Sequence, residues 1–295
     1  MVNASHPAAW LGRGALALAV VGVSVAGLWI WQSRSPAADD AGAGPVHVHG
    51  LGLDPADGAL FIATHTGLFR VAPDARRAAR VGSSHQDTMG FTVAGKSRFF
   101  GSGHPDLRSE WPPLLGLIES NDAGRSWESV SLLGEVDFHV LRYVHGRLYG
   151  YDVTGDRLLV SDDEGRSWDE VRRPAPLLDL AIDPRNGRHL VATAASSIGS
   201  GLYESLDGGV QWERIGDAVG LLAWPAPDRL YLLTERGELA TSSDQGRSFR
   251  PRGSTTRSPA ALLATSADQL FVALHDGTIE RSADGGRTWS VRSSP

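Results

Sequence analysis

The chain has 295 residues and a formal net charge of −6, with 34 acidic against 28 basic side chains. It therefore lacks the basic excess that tracks a nucleic-acid backbone, and no nucleic-acid partner is expected. There is no cysteine, which excludes disulfides, thiolate metal ligands and thiol nucleophiles, and Lys96 is the single lysine available for covalent chemistry.

Taken from the N-terminus, residues 1–13 precede an uncharged apolar stretch from Gly14 to Trp31. As a helix it would span about 27 Å, close to the hydrocarbon thickness of a bilayer. Trp29 and Trp31 stand at its outer end, where indoles favour the membrane interface. The stretch reads as one N-terminal transmembrane helix over residues 14–31, with a signal peptide as the competing reading. On the first reading residues 1–13 are cytoplasmic, and the protein is a single-pass cell-membrane protein with its folded part on the extracytoplasmic side. Residues 32–45 (QSRSPAADDAGAGP) are a polar, Ala/Gly/Pro-rich flexible linker, and the folded domain is expected over residues 46–295.

That domain is periodic. Five copies of Ser-x-Asp-x-Gly-x-x-aromatic run from Ser120 to Trp127, Ser161 to Trp168, Ser205 to Trp212, Ser242 to Phe249 and Ser282 to Trp289. Their serines are 41, 44, 37 and 40 residues apart. A fixed period near 40 marks an array of supersecondary units. Each residue type has a turn-making task. Asp122, Asp163, Asp207, Asp244 and Asp284 can accept hydrogen bonds from backbone N–H groups just ahead of them. The glycine takes positive φ, and the aromatic is expected to bury its ring against the next unit. The pattern resembles the Asp-box, or BNR repeat, of sialidase-like, sortilin-like and photosystem-assembly-factor propellers. Residues 46–295 divide into about six such units, each opening on an apolar strand, and the first lacks the box. The fold class is all-β, a six-bladed β-propeller with structural Asp-boxes, with seven blades as the alternative if the long second unit holds an extra hairpin.

In this architecture the first strand of each blade lines the central channel. The loops entering first strands share a face with the turns between second and third strands, opposite the Asp-boxes. His47 and His49 enter unit one, and their spacing points both to one side of a strand. His65 lies in the second turn of that unit. Gln86 and Asp87 enter unit two, and His104 and Asp106 lie in its second turn. Asp137 and His139 enter unit three, Asp179 lies on the first strand of unit four, and His275 is in the second turn of unit six. Seven of the ten histidines, counting His85, fall on this face or at the channel mouth. His145 and His189 are assigned to turns on the opposite face. A lone histidine in a turn is ordinarily a solvated or backbone-bonding residue, so the set carries more weight than any member. Neutral imidazoles with carboxylates are natural ligands for a divalent metal, and His47, His49, His65, Asp87 and His104 are the candidate ligands. The same face could take a small polar ligand, a glycan or a protein partner.

The segments HVHGLGLDP, ATHTGLFRV, QDTMGF, GSGHPD and PPLLGLIESNDAGRSW are similar to the bacterial proteins named F510_1955 family glycosylhydrolases, over about residues 46–292. The resemblance implies glycoside hydrolysis. Sialidase chemistry is a poor match: the Phe-Arg-Ile-Pro motif is absent, and Arg142 is the one arginine candidate on a first strand. Two hypotheses follow. One is a membrane-tethered binding module with a His/Asp face. The other is a cell-surface glycoside hydrolase using two carboxylates, such as Asp87 with Asp137 or Asp179.

Overall fold

The computed structural model describes residues 44–195 and 199–295. The expected cytoplasmic segment, the apolar stretch over residues 14–31 and the linker up to residue 43 lie outside the described residues. Among the described residues no helix is long and apolar enough to cross a membrane. Ala43–Pro295 is one compact unit.

It consists of six four-stranded antiparallel sheets, each a meander of consecutive strands. Blade 1 is Val48–Leu53 (β1), Leu60–Thr64 (β2), Gly67–Val71 (β3) and Ala79–Arg80 (β4). Blade 2 is Asp87–Gly95 (β5), Arg98–His104 (β6), Leu117–Ser120 (β7) and Glu128–Ser131 (β8). Blade 3 is Phe138–Val144 (β9), Arg147–Asp152 (β10), Arg157–Ser161 (β11) and Asp169–Val171 (β12). Blade 4 is Leu177–Asp183 (β13), Asn186–Ala194 (β14), Gly201–Ser205 (β15) and Glu213–Gly216 (β16). Blade 5 is Leu221–Ala226 (β17), Arg229–Leu233 (β18), Glu238–Ser242 (β19) and Arg250–Ser254 (β20). Blade 6 is Pro259–Ala264 (β21), Leu270–Leu274 (β22), Ile279–Ser282 (β23) and Ser290–Ser293 (β24). Each inner strand touches the next, and β21 touches β1, which closes the ring.

Strand composition follows position. The second strands have neighbours on both faces, so β2 (LFIAT) and β22 (LFVAL) are buried at every residue and read as unbroken apolar runs. The outer strands β8 (ESVS) and β12 (DEV) face water and are polar, which discourages edge pairing with another chain.

Six apolar cores lie between neighbouring blades. Phe61, Leu68, Phe91 and Phe99 form the one between blades 1 and 2, and Phe100, Leu117, Phe138 and Leu148 the one between blades 2 and 3. The Asp-box aromatics pack here: Trp127, Trp168, Trp212, Phe249 and Trp289 each join the core shared with the preceding blade. The ring thus turns back along the chain, not forward to the next unit, because the box lies where the third strand ends over the blade before it. Blade 1 has no box, and its core with blade 6 receives Ala75 and Ala78 instead. Arg292 of β24 crosses that seam and donates to the carbonyls of Ala72 and Ala75.

The boxes share one hydrogen-bond pattern. In blade 3, Ser161 Oγ donates to Asp163 Oδ1 at 2.8 Å and accepts from the buried Gly165 N–H at 2.7 Å. Asp163 also accepts from the Ser167 N–H and hydroxyl, at 2.9 and 2.6 Å. Those bonds, the Ser167 hydroxyl first, hold the Asp163 carboxyl down to about 2. A depressed carboxylate adds stability that is full above its unfolded pKa and lost as pH falls to the folded value, so this contribution fades between pH 3.8 and about 2. Gly165 adopts φ +85°, a left-handed conformation that a side chain would strain.

Ser161→Ala removes the acceptor of a buried N–H. It should cost about 2 kcal/mol in a urea unfolding experiment. An unchanged midpoint would mean that the box serine does not stabilise the turn.

Candidate functional site

The inner strands enclose two adjoining channel cavities of about 340 and 560 Å³, both bounded by Leu51, Phe91, Arg142 and Leu262. The smaller opens on the face opposite the Asp-boxes. A local irregularity of the strands builds its rim. Near the start of β1, β5, β9, β13 and β21 the pairing with the second strand slips by one residue. The extra residues are His49, Met89, His139, Leu178 and Ala260, and all five line this cavity together with Leu221 of β17. A bulge re-aims a side chain that strict alternation would send elsewhere. At these positions blades 1 to 3 thus offer donor atoms to the rim and blades 4 to 6 aliphatic carbon, with Asp179 of blade 4 also in the cavity lining.

His49 and His65 meet Asp87 there. His65, in the β2–β3 turn, has Nδ1 2.7 Å from Asp87 Oδ2. The His49 ring stands edge-on to His65 with centroids 4.3 Å apart. His49 Nε2 and Asp87 Oδ1 are 3.8 Å apart, too far for a hydrogen bond. Both atoms are buried and have no partner. One ligand atom from each of His49, His65 and Asp87 falls within 4.8 Å of the others. Leaving a buried polar atom unpaired costs about 1–3 kcal/mol, so each of these two atoms destabilises the fold locally.

The two imidazoles are driven apart electrostatically. Burial first, then repulsion from His65, pushes His49 down to about 4, with His139 and His47 adding to the effect. His49 is therefore neutral at pH 7 and makes no ion pair with Asp87. The hydrogen bond to Asp87 raises His65 above its ordinary value.

Asp137 and His139 form an adjacent cluster with His104. Asp137, 4% exposed, has Oδ2 2.9 Å from His139 Nε2 and 3.8 Å from His104 Nε2. His104 Nδ1 and Asp137 Oδ1 are again buried without partners. The GSGHPD segment explains the placement. Ser102 Oγ accepts the Phe138 N–H at 3.0 Å, and His104 pairs across the ladder from Asp87. Gly103, at φ +133°, passes so close to the Asp87 carbonyl and the Met89 nitrogen that no side chain fits.

The remaining expected residues take other places. His47 precedes β1 with φ +53° and is exposed, so it does not project from a shared strand with His49. The bulge and this turn break the alternation, although its ring still comes within 5.4 Å of His65. His47 and His104 stand outside the three-residue group that could share one ion. Gln86 is buried, and its Nε2 donates to Thr88 Oγ1. Asp106 accepts from the His85 N–H and from Arg108, which braces its own loop. Asp179 has both oxygens committed, Oδ1 to Arg142 and the Leu180 N–H, Oδ2 to the Leu222 N–H. It ties blades 3, 4 and 5 together at the channel wall. His275 lies in the β22–β23 turn of blade 6, where its N–H donates to the Ser258 carbonyl. His189 is not in a turn: it is buried on β14 between Asp183 and Glu204, at 3.2 and 2.8 Å. Sequence reasoning missed Met89, whose bulge position is set by strand pairing.

No family model matches the chain. It is 25% identical over 207 residues to sortilin of Danio rerio, covering 61% of this chain and 24% of that protein. The chain thus spans about a quarter of that curated relative. Among solved structures, YCF48 from Cyanidioschyzon merolae superposes with a TM-score of 0.54 at 12% identity, over 84% of this chain and 85% of that one. The GH74 enzyme of Niastella koreensis gives 0.58 at 13% identity, over 85% of this chain and 46% of that one. The shared feature is the β-propeller. At these identities the structural likeness extends to the fold alone.

NMR titration of the protein in the presence of a chelator should find His65 titrating above 6.5 and His49 near 4. The signs oppose each other for folding. The proton on His65 favours the folded state, a contribution lost as pH rises through its raised value. His49 must stay neutral, so its contribution is lost as pH falls from 6.5 towards 4. Asp87→Asn should abolish the upward shift of His65, and equal titration of the two histidines would contradict this geometry.

Proposed function

We propose that this protein is a binding module whose channel mouth holds a divalent transition-metal cation, with His49, His65 and Asp87 as its ligands. One observation carries the reading: His49 Nε2 and Asp87 Oδ1 are buried, unpartnered and 3.8 Å apart. A cation between them would satisfy both at once. Imidazole nitrogen and carboxylate oxygen suit Zn²⁺ and its neighbours, and three protein ligands leave coordination positions open towards the channel. A small polar ligand or a partner side chain would complete the sphere. Membership of the F510_1955 glycosylhydrolase group belongs to the same reading, on the motifs that contain these residues.

Calorimetric titration of the purified protein with Zn²⁺ tests it. His49→Ala, His65→Ala and Asp87→Asn should each weaken binding at least about tenfold. Their melting temperatures should change little, because propeller stability is spread over all blades. Parent and variants binding alike would end the reading.

A second reading, hydrolysis of a glycoside, is favoured by Asp87 and Asp137 each keeping an unpartnered oxygen at one mouth. It does not extend to sialosides, since Arg142 is bonded to Asp179. Turnover of aryl glycosides that falls about a hundredfold or more in Asp87→Asn and Asp137→Asn would support it. Absence of turnover across gluco-, galacto- and xylo-configured substrates would remove it.

A further inference from the structure

The rim holds a third kind of donor, which the cation site above does not use. Met89 is the bulge residue of β5, between His49 on β1 and His139 on β9. The three occupy the same position in three consecutive blades and line one cavity. The chain has two methionines, and the other is Met1, so the propeller's only thioether stands at the mouth of its channel. Methionine is ordinarily a filler of irregular apolar gaps. Here the gaps between blades are filled mainly by Leu, Val, Ile and Phe, and Met89 is partly buried in the lining of a cavity that it shares with two imidazoles. His139 and His49 line the same cavity, and with Nε2 of His139 on Asp137 its Nδ1 is the nitrogen left for an ion.

We propose that this rim binds monovalent copper, with His49, Met89 and His139 as its donors. The inference rests on the reading of the mouth as a metal site and adds a second ion there, held by an adjoining donor set that shares His49 with the divalent site. A thioether is a soft ligand that favours Cu(I) and adds little for Zn²⁺. The facing arc supports a low coordination number: Leu178, Leu221 and Ala260 bring no donor atom, and Asp179, which also lines the cavity, has both oxygens committed to Arg142 and backbone N–H groups. No redox step is implied. The copper enters and leaves as Cu(I), and His49 is shared between this set and the one formed with His65 and Asp87.

The test is competition for Cu(I) against bicinchoninate, under anaerobic conditions with ascorbate, on the full chain. Met89→Leu keeps side-chain volume and shape and removes only the sulfur. It should lower Cu(I) affinity at least about tenfold and leave Zn²⁺ affinity within about twofold. His139→Ala should do the same. X-ray absorption of the Cu(I)-loaded protein should contain a copper–sulfur shell that Met89→Leu lacks. If the parent binds Zn²⁺ but Met89→Leu competes for Cu(I) as the parent does, this inference falls and the metal reading stands. If the parent binds neither ion, both fall.

Discussion

Each blade has two apolar faces and no means of covering them alone. Burial of those faces between neighbours is the constraint on which everything else depends. It requires six sheets to pack in a circle, which buries the second strands almost throughout and leaves the outer strands to face water. The circle must also close. Closure falls between blades 6 and 1, where no Asp-box aromatic is present and Arg292 reaches over to backbone carbonyls of blade 1. The one atypical unit therefore sits at the one joint between the two ends of the repeat array.

Closing the ring brings six inner strands around an axis, and their entrances form a rim. The bulges there turn one residue per blade towards the channel in five of the six blades, so the character of the mouth is set by five or six side chains drawn from distant parts of the chain. An asymmetric mouth follows directly from a nearly symmetric fold. Three consecutive blades supply His49, Met89 and His139, and the other three supply Leu178, Leu221 and Ala260. Around the polar arc, buried donor and acceptor atoms lie unpaired. Their backbone is fixed by strands that pack in the closed ring. This favours a ligand that satisfies them.

The Asp-boxes and the histidines occupy opposite faces and serve different purposes. Each box spends its serine, aspartate and glycine on local turn bonds, with no group left over for chemistry. The channel-mouth aspartates behave otherwise. Asp179 is fully committed to Arg142 and two backbone N–H groups, whereas Asp87 and Asp137 each retain an oxygen without a partner. That difference separates a carboxylate that holds blades together from one that is available to a ligand.

The sequence by itself determined the repeat, the position of each Asp-box turn and the face to which most histidines belong. These depend on local turn chemistry and on a period of about 40 residues, both of which are written in neighbouring residues. Tertiary structure decided the rest. It settled six blades where the long second unit left room for a seventh. Alternation along a strand would have put His47 beside His49, but a left-handed residue and a one-residue bulge separate them. Spacing assigned His189 to a turn, but strand β14 carries it into a buried place between two carboxylates. The box aromatics were expected to reach forward and instead pack backward, since the direction depends on how one blade overlaps another. Met89 gave no signal in the sequence, because what places it between His49 and His139 is pairing between strands and closure of the ring, and neither is encoded in any short stretch of residues.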